Sequence, residues 1–237
     1  METIANSAHL ALGLLLARDA TLFDIVALSL AVSISASAAA AMVGLPLGAA
    51  LAICAFPGRP LVILIANALL GLPPVVVGLA LYLLMSRSGP LGGLGLLFTP
   101  LAMSVAQFLL ALPIVVALSH RAMTGIWHDY GDQLLVDGVT RVQAIPHLLS
   151  IGRLSAMTAG LAGFGRAISE VGAILIVGGN IAGYTRTMTT AITLETSEGN
   201  FALALALGAV LVAISVAVSA CAFGIEARSR QSSKEIA

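Results

Sequence analysis

The stretch from Ile25 to Gly58 contains no charged residue. As a helix, about 20 apolar residues cover the hydrocarbon core of a bilayer, so this run is long enough to cross one. Four further stretches qualify: Leu61–Ser86, Ser88–Ser119, Leu154–Val177 and Gly199–Ile225. The third opens on Gly89–Gly95 (GPLGGLG), which leaves Leu96–Leu118 as its span. The runs are continuously apolar and do not alternate, so they predict helices and exclude a membrane β-barrel. Only 9% of the residues are charged and the mean hydropathy is +1.06, whereas a soluble domain carries about a quarter charged residues. The chain is therefore expected to be an all-α integral membrane protein with about five transmembrane helices, embedded in the lipid bilayer.

The expected layout is an N-terminal interfacial segment over 1–23, a transmembrane domain over 24–226 and a tail over 227–237. The spans fall at about 25–54, 61–86, 96–118, 154–178 and 200–225, with a polar loop over 120–153. Within the N-terminal segment, Asn6–Ala17 is too short to span and reads as an interfacial helix or a disordered lead-in. Basic residues set the orientation. Arg59, Arg121, Arg141, Arg153, Arg228, Arg230 and Lys234 lie on one side, and Arg18, Arg87 and Arg186 on the other. This places the 120–153 loop and the C-terminus in the cytoplasm and the N-terminus outside.

Several classes of function are excluded. Eleven basic residues balance eleven acidic ones, so there is no broad basic patch for nucleic acid. Cys54 and Cys221 both sit in apolar runs, and the four histidines are scattered. No metal site or disulfide framework is expected. No GxxxxGK[ST] phosphate loop is present, so the chain is not expected to hydrolyse nucleotide, and no cofactor is expected in it. Asp129, Asp132 and Asp137 with His128 come nearest to a catalytic set, but they suit a solvated helical hairpin better than a membrane enzyme. No internal repeat is visible, which weighs against an ion-coupled secondary transporter built from inverted repeats. Five spans are few to enclose a pore, so a second copy of the chain is expected.

The polar and helix-breaking features inside the apolar runs are the candidates for function. Pro73–Pro74 breaks the second run, as a packing kink or as a kink beside a transport path. Arg166 and Glu170 are the only charges in the fourth run. Their four-residue spacing would put them on one helix face, as a structural pair or as part of a path or gate. Small residues crowd the same run, with Ala156/Gly160 and Ala159/Gly163 at the spacing that lets helices approach closely. Gly178–Gly179–Asn180 ends it, as glycine commonly does. Ile181–Thr193 (IAGYTRTMTTAIT), with Thr185, Arg186 and Thr187, reads as a polar external loop or as hydroxyl and arginine donors for a tetrahedral oxyanion. Glu195 and Glu198 would repel such an anion. The 120–153 stretch contains DQLLVDGVTRVQAIPHLL (132–149), where Gly138 would separate two short helices and Pro146 would limit the second. Its length exceeds an ordinary connection, which favours a hairpin that docks on a partner over a plain loop.

Three stretches together resemble the permease subunit of ABC importers of the molybdate/sulfate type. They are LGLPPVVVGLALYLLMSRSGPLGGLG (70–95), FTPLAMSVAQFLLALPIVV (98–116) and GFGRAISEVGAILIVGGNIAGYTRTMTTAI (163–192). The last, continuing to LET, is most similar to the tungstate branch. The resemblance covers about residues 25 to 225. The family also has a cytoplasmic loop of form EAA-x3-G-x9-I-x-LP that packs into the ATPase. Aligned on Gly138, this chain has Asp132, Gln133 and Leu134 at EAA, Leu148 at the isoleucine and Ser150–Ile151 at Leu-Pro, so it departs at most positions.

The resemblance implies a type I ABC importer permease fold in a bacterial or archaeal plasma membrane, working as a homodimer. It implies two cytoplasmic ABC ATPase subunits, which hold ATP and Mg, and a periplasmic or extracellular oxyanion-binding protein. It carries the coupling role to Asp132, Gln133, Leu134, Gly138, Val139 and Arg141. A translocation path or gate would draw on Pro73, Pro74, Arg166, Glu170, Gly172, Gly178, Gly179, Asn180, Thr185, Arg186 and Thr187. The expected function is tungstate import by alternating access. Molybdate or sulfate is the alternative cargo, and an ion-coupled secondary transporter the alternative class.

Overall fold

A computed structural model describes Gly13 and residues 20–235, with side chains described as far as Ile225. Apart from Gly13, the expected interfacial helix Asn6–Ala17 lies outside the described residues. Nine α-helices occur among the described residues: α1 (Ala20–Ile53), α2 (Arg59–Ala68), α3 (Pro74–Met85), α4 (Pro100–Val136), α5 (Arg141–Ile151), α6 (Arg153–Ile168), α7 (Gly172–Gly178), α8 (Met188–Glu198) and α9 (Phe201–Glu235). Short 3-10 turns stand at Leu69–Gly71 and Gly92–Leu94. Helices α1, α4 and α9 are each long and apolar enough to cross a membrane. The broken pairs α2–α3 and α6–α7 raise the number of spans to five if each pair counts as one. The chain is an all-α, multi-pass membrane protein.

The helices form two compact units. Among the described residues, the first comprises those up to 35, 73–107 and 167–217. In it α3 packs on α7 through glycine. A β-carbon at Gly78 would lie 2.8 Å from the Ala173 Cα, and one at Gly172 would lie 2.9 Å from a Val75 methyl. Such contacts let apolar helices gain dispersion energy where lipid offers no hydrophobic drive. Pro73 is extended (φ −64°, ψ 124°) and Pro74 opens α3 at a position that needs no N–H donor. The pair therefore starts a helix and does not bend a continuous one. The chain between α3 and α4 returns to α7 at Phe98. Its N–H donates to the Val177 carbonyl at 2.8 Å, and its ring packs edge-to-face with that of Tyr82, the centroids 6.4 Å apart.

The second unit comprises, among the described residues, 36–72, 108–166 and those from 218 on. The second half of α1 lies against α4, with Ala40, Ala111 and Val115 fully buried between them. Glycines again set the approach. A β-carbon at Gly48 would stand 2.5 Å from the Ser119 Cβ, and one at Gly44 2.9 Å from a Val115 methyl. The Ser119 hydroxyl donates to the Leu45 carbonyl at 2.9 Å. From α6, Gly163 faces Val115 and Gly160 faces Ala41. The small residues of the fourth run thus serve helix packing in this unit.

Four local expectations differ from the structure. Helix α4 does not stop near residue 118 but continues to Val136, because the polar residues that follow the apolar run are no barrier to helix outside lipid. Helix α5 passes through Pro146 to Ile151. The carbonyl that Pro146 deprives of its partner belongs to Val142, an exposed residue that water can serve. Residues 188–198 form α8 and are not a loop. Helix α6 ends at Ile168, so Arg166 and Glu170 do not share a helix face.

Candidate functional site

In the first unit the polar residues of 170–200 gather where helix ends meet. Glu170 is 2% exposed. Its Oε1 accepts the Ala173 N–H at 3.0 Å, satisfying one of the donors that every helix start leaves open, here that of α7. Its own carbonyl accepts the Thr189 hydroxyl of α8 at 2.7 Å. A β-carbon at Gly172 would touch both this carboxylate, at 3.7 Å, and Val75 in the first turn of α3. The structure thus brings Pro73–Pro74, Glu170 and Gly172 to one place. Arg166 lies in the other unit, in the last turn of α6, where a cation suits the helix dipole.

The start of α8 is tied to α1. The Ser29 hydroxyl accepts the Met188 N–H at 2.7 Å and donates to the Ile25 carbonyl at 2.7 Å. Thr190 accepts the Thr187 N–H at 3.0 Å. Thr185 donates to the Gly178 carbonyl at 2.6 Å and accepts the Ile181 N–H at 2.9 Å. Gly179 and Asn180 both take left-handed backbone, with φ 71° and 52°. At Gly179 a side chain would also strike the Phe98 ring at 2.8 Å. These hydroxyls, which on sequence suit an oxyanion, are engaged with backbone groups.

Arg186 stands 3.7 Å from Glu195, which is 6% exposed. The other Glu195 oxygen accepts the Asn200 amide at 2.7 Å. The glutamate expected to repel an anion therefore neutralises the arginine expected to attract one. Thr21, Asp24, Tyr184 and Arg186 line a cavity of about 530 Å³ in this unit. Asp24 sets a carboxylate on its wall. Among the described residues no group of His, Cys, Asp or Glu could hold a metal ion.

In the second unit the α4–α5 hairpin is closed at both ends of its turn. Gly138 has φ 81°. Its N–H donates to the Leu135 carbonyl at 3.1 Å, and the Val139 N–H to the Leu134 carbonyl at 3.0 Å. This is the Schellman stop, and its usual apolar contact follows, since Leu134 and Val139 both pack on one buried cluster. Two residues on, Thr140 and Gln143 form a reciprocal capping box that starts α5. Asp132 and Gln133 are exposed, while Val136 is 86% and Val142 67% exposed. Arg141 differs from its neighbours. Its guanidinium turns back to donate to the Ile53 carbonyl at 2.8 Å and lies 6.0 Å over the Trp127 ring. Ser29 and Trp127 escaped the sequence reading, Arg59 entered it only as a charge that sets orientation, and Thr189 only as one hydroxyl of the Ile181–Thr193 stretch. Only the T-x-x-Q pattern at Thr140–Gln143 carried a local signal for the hairpin start.

No family model matches the chain. Individual proteins do. The chain is 44% identical over 204 residues to a probable anion ABC transporter permease protein of Haloferax volcanii, an alignment covering 84% of this chain and 88% of that one. It belongs to the ABC transporter permeases. This permease is also 37% identical over 226 residues to the tungstate uptake system permease protein TupB of Peptoclostridium acidaminophilum, across 95% of this chain and 99% of its relative. To the protein of the same description from Campylobacter jejuni it is 41% identical over 151 residues, 64% of this chain and 63% of that one. The helix pairs and helix ends described above are thus those of a membrane-spanning transport subunit.

Proposed function

We propose that this permease is the membrane-spanning subunit of an ATP-driven importer that takes tungstate into the cell. The observation that carries the reading is similarity along nearly the whole chain to the permease of a tungstate uptake system. Two copies frame the path. Two ATPase subunits, which bind ATP and Mg, dock from the cytoplasm on the α4–α5 hairpins. The N-terminus lies outside and the C-terminus inside. Exposed apolar side chains at Val136 and Val142, beside the charged Asp132 and Asp137, suit a protein partner. An external oxyanion-binding protein delivers the cargo and does most of the selecting, since tungstate and molybdate are nearly alike in size and charge.

ATP binding closes the ATPase pair and draws the two hairpins together. The path then opens outward under the loaded binding protein, and hydrolysis resets it. The meeting of helix ends at Pro73–Pro74, Glu170 and Gly172 forms a fixed corner of the path. The buried hydroxyls of Thr185 and Thr187 hold the adjoining turn in shape. Gly178, Gly179 and Asn180 end α7 where the path narrows.

The test is a tagged purification from native membranes in mild detergent. A nucleotide-hydrolysing subunit is expected in equal amount. Vesicles holding the complex, ATP and the binding protein are expected to accumulate tungstate. Accumulation of molybdate alone would overturn the cargo. A permease that arrives alone, and moves tungstate under an ion gradient without ATP, would overturn the class in favour of a secondary transporter.

A further inference from the structure

The cytoplasmic end of α1 poses a specific hydrogen-bonding problem. A helix leaves its last four carbonyls without intrahelical donors. Here three of them are served by arginine side chains, beyond the last backbone bond of the helix. The Ala50 carbonyl accepts the Cys54 N–H at 2.8 Å. The Leu51 and Ala52 carbonyls accept the Arg59 guanidinium, at 2.7 Å from Nε and 3.1 Å from Nη2. The Ile53 carbonyl accepts Arg141, which stands 88 residues away in sequence at the first position of α5. Two cations thus sit at the negative end of the helix dipole, in charge-assisted bonds that are stronger than neutral ones.

The two arginines differ in where they are anchored. Arg59 belongs to the chain that directly follows α1. Arg141 belongs to the hairpin, held over Trp127 of α4. Beneath it one apolar cluster contains Ala49, Ala52 and Ile53 of α1, Met123 of α4, and Ala144 and Leu148 of α5, all buried.

We propose that Arg141 is a positioning residue that pins the end of α1 to the coupling hairpin, so that displacement of the hairpin by the ATPase is delivered to α1 as a rigid movement. The inference rests on the importer reading above. It gives Arg141 a role inside the permease, distinct from contact with the ATPase surface. The apolar cluster keeps α1 and α5 together but, being non-directional, permits sliding. The guanidinium fork, bonded to one carbonyl and lying over one ring, sets the register.

The test uses the full complex of permease, its ATPase subunits and the binding protein in vesicles, with tungstate as cargo. Arg141→Met and Arg141→Gln each remove the charged fork, and the second serves if the first does not reach the membrane. Both are expected to keep the ATPase subunits through purification while tungstate uptake falls tenfold or more. Arg141→Lys, which keeps a cationic donor, is expected to recover uptake to within about threefold of the native chain. Arg59→Met opens the same helix end without touching the hairpin, and is expected to lower thermal stability while leaving uptake within threefold.

Uptake by both Arg141→Met and Arg141→Gln within twofold of native would overturn the proposal. So would loss of the ATPase subunits from those variants, which would make Arg141 a docking contact. Equal loss of uptake in Arg59→Met would overturn it too, by reducing the effect to stability of the helix end. Failure of the native chain to bring down any ATPase is a different outcome and removes the importer reading itself.

Discussion

At single residues the structure is tightest where side chains are absent. A methyl at Gly48 would stand 2.5 Å from the Ser119 Cβ, 2.7 Å from the Val116 carbonyl and 2.8 Å from the His120 nitrogen. Two of these three atoms are backbone and cannot step aside. Gly48→Ala is expected to cost about 1–3 kcal/mol through overpacking, read as a lower thermal midpoint in detergent. Gly125, inside α4, meets nothing within 4 Å. Gly125→Ala in the isolated permease is expected to gain about 0.5–1 kcal/mol, the ordinary helix advantage of alanine. Glu170 gives a graded test. Glu170→Ala removes the acceptor for the Ala173 N–H and is expected to cost about 0.5–2 kcal/mol, whereas Glu170→Gln, which keeps an oxygen in place, is expected to cost less. Equal loss in both variants would show that the charge, and not the cap, is what this position supplies.

At the scale of elements the hairpin turn is specified twice, by a stop at Gly138 and a start at Thr140. Gly138→Ala forces a side chain into left-handed backbone at φ 81°, and a destabilisation of about 1–2 kcal/mol is expected. Thr140→Ala loses the capping box, at about 0.5–2 kcal/mol. The double variant is expected to lose less ATPase in purification than it loses uptake, because the exposed face survives while its aim does not.

The turn was legible in sequence because a left-handed glycine is a local requirement. Other elements were not. Helix α8 read as loop because Thr187, Thr189 and Thr190 look solvent-bound in sequence. In the structure they bond to the backbone and to one another, which no spacing rule reveals. The stop at Ile168 was missed because no proline marks it and glycine arrives only at Gly172. The inward turn of Arg141 depends on a carbonyl 88 residues away. Periodicity, which reads neighbours, could not supply it.

For the whole molecule, the apolar runs specified an all-α membrane protein, and the motif stretches carried the family. The second run divides into α2 and α3 at Pro73–Pro74, where the sequence places a break, whereas the division of the fourth run into α6 and α7 had no such mark. Orientation has a direct check. A cysteine placed at exposed Ser150, in a chain with Cys54 and Cys221 replaced, is expected to react with a membrane-impermeant maleimide only from the cytoplasmic side. One at exposed Ala182 is expected to react only from outside. The reverse pattern would invert the proposed topology and put the hairpin out of reach of an ATPase.

Trp127 is the chain's only tryptophan, and it lies under the Arg141 guanidinium, which joins the hairpin to α1. The permease therefore carries a built-in optical reporter at that contact. A positive charge leaving the face of an indole shifts its emission wavelength, so the purified permease alone, without any label, is expected to signal separation of Arg141 from Trp127. Arg141→Met is expected to emit permanently at the separated wavelength, which calibrates the signal.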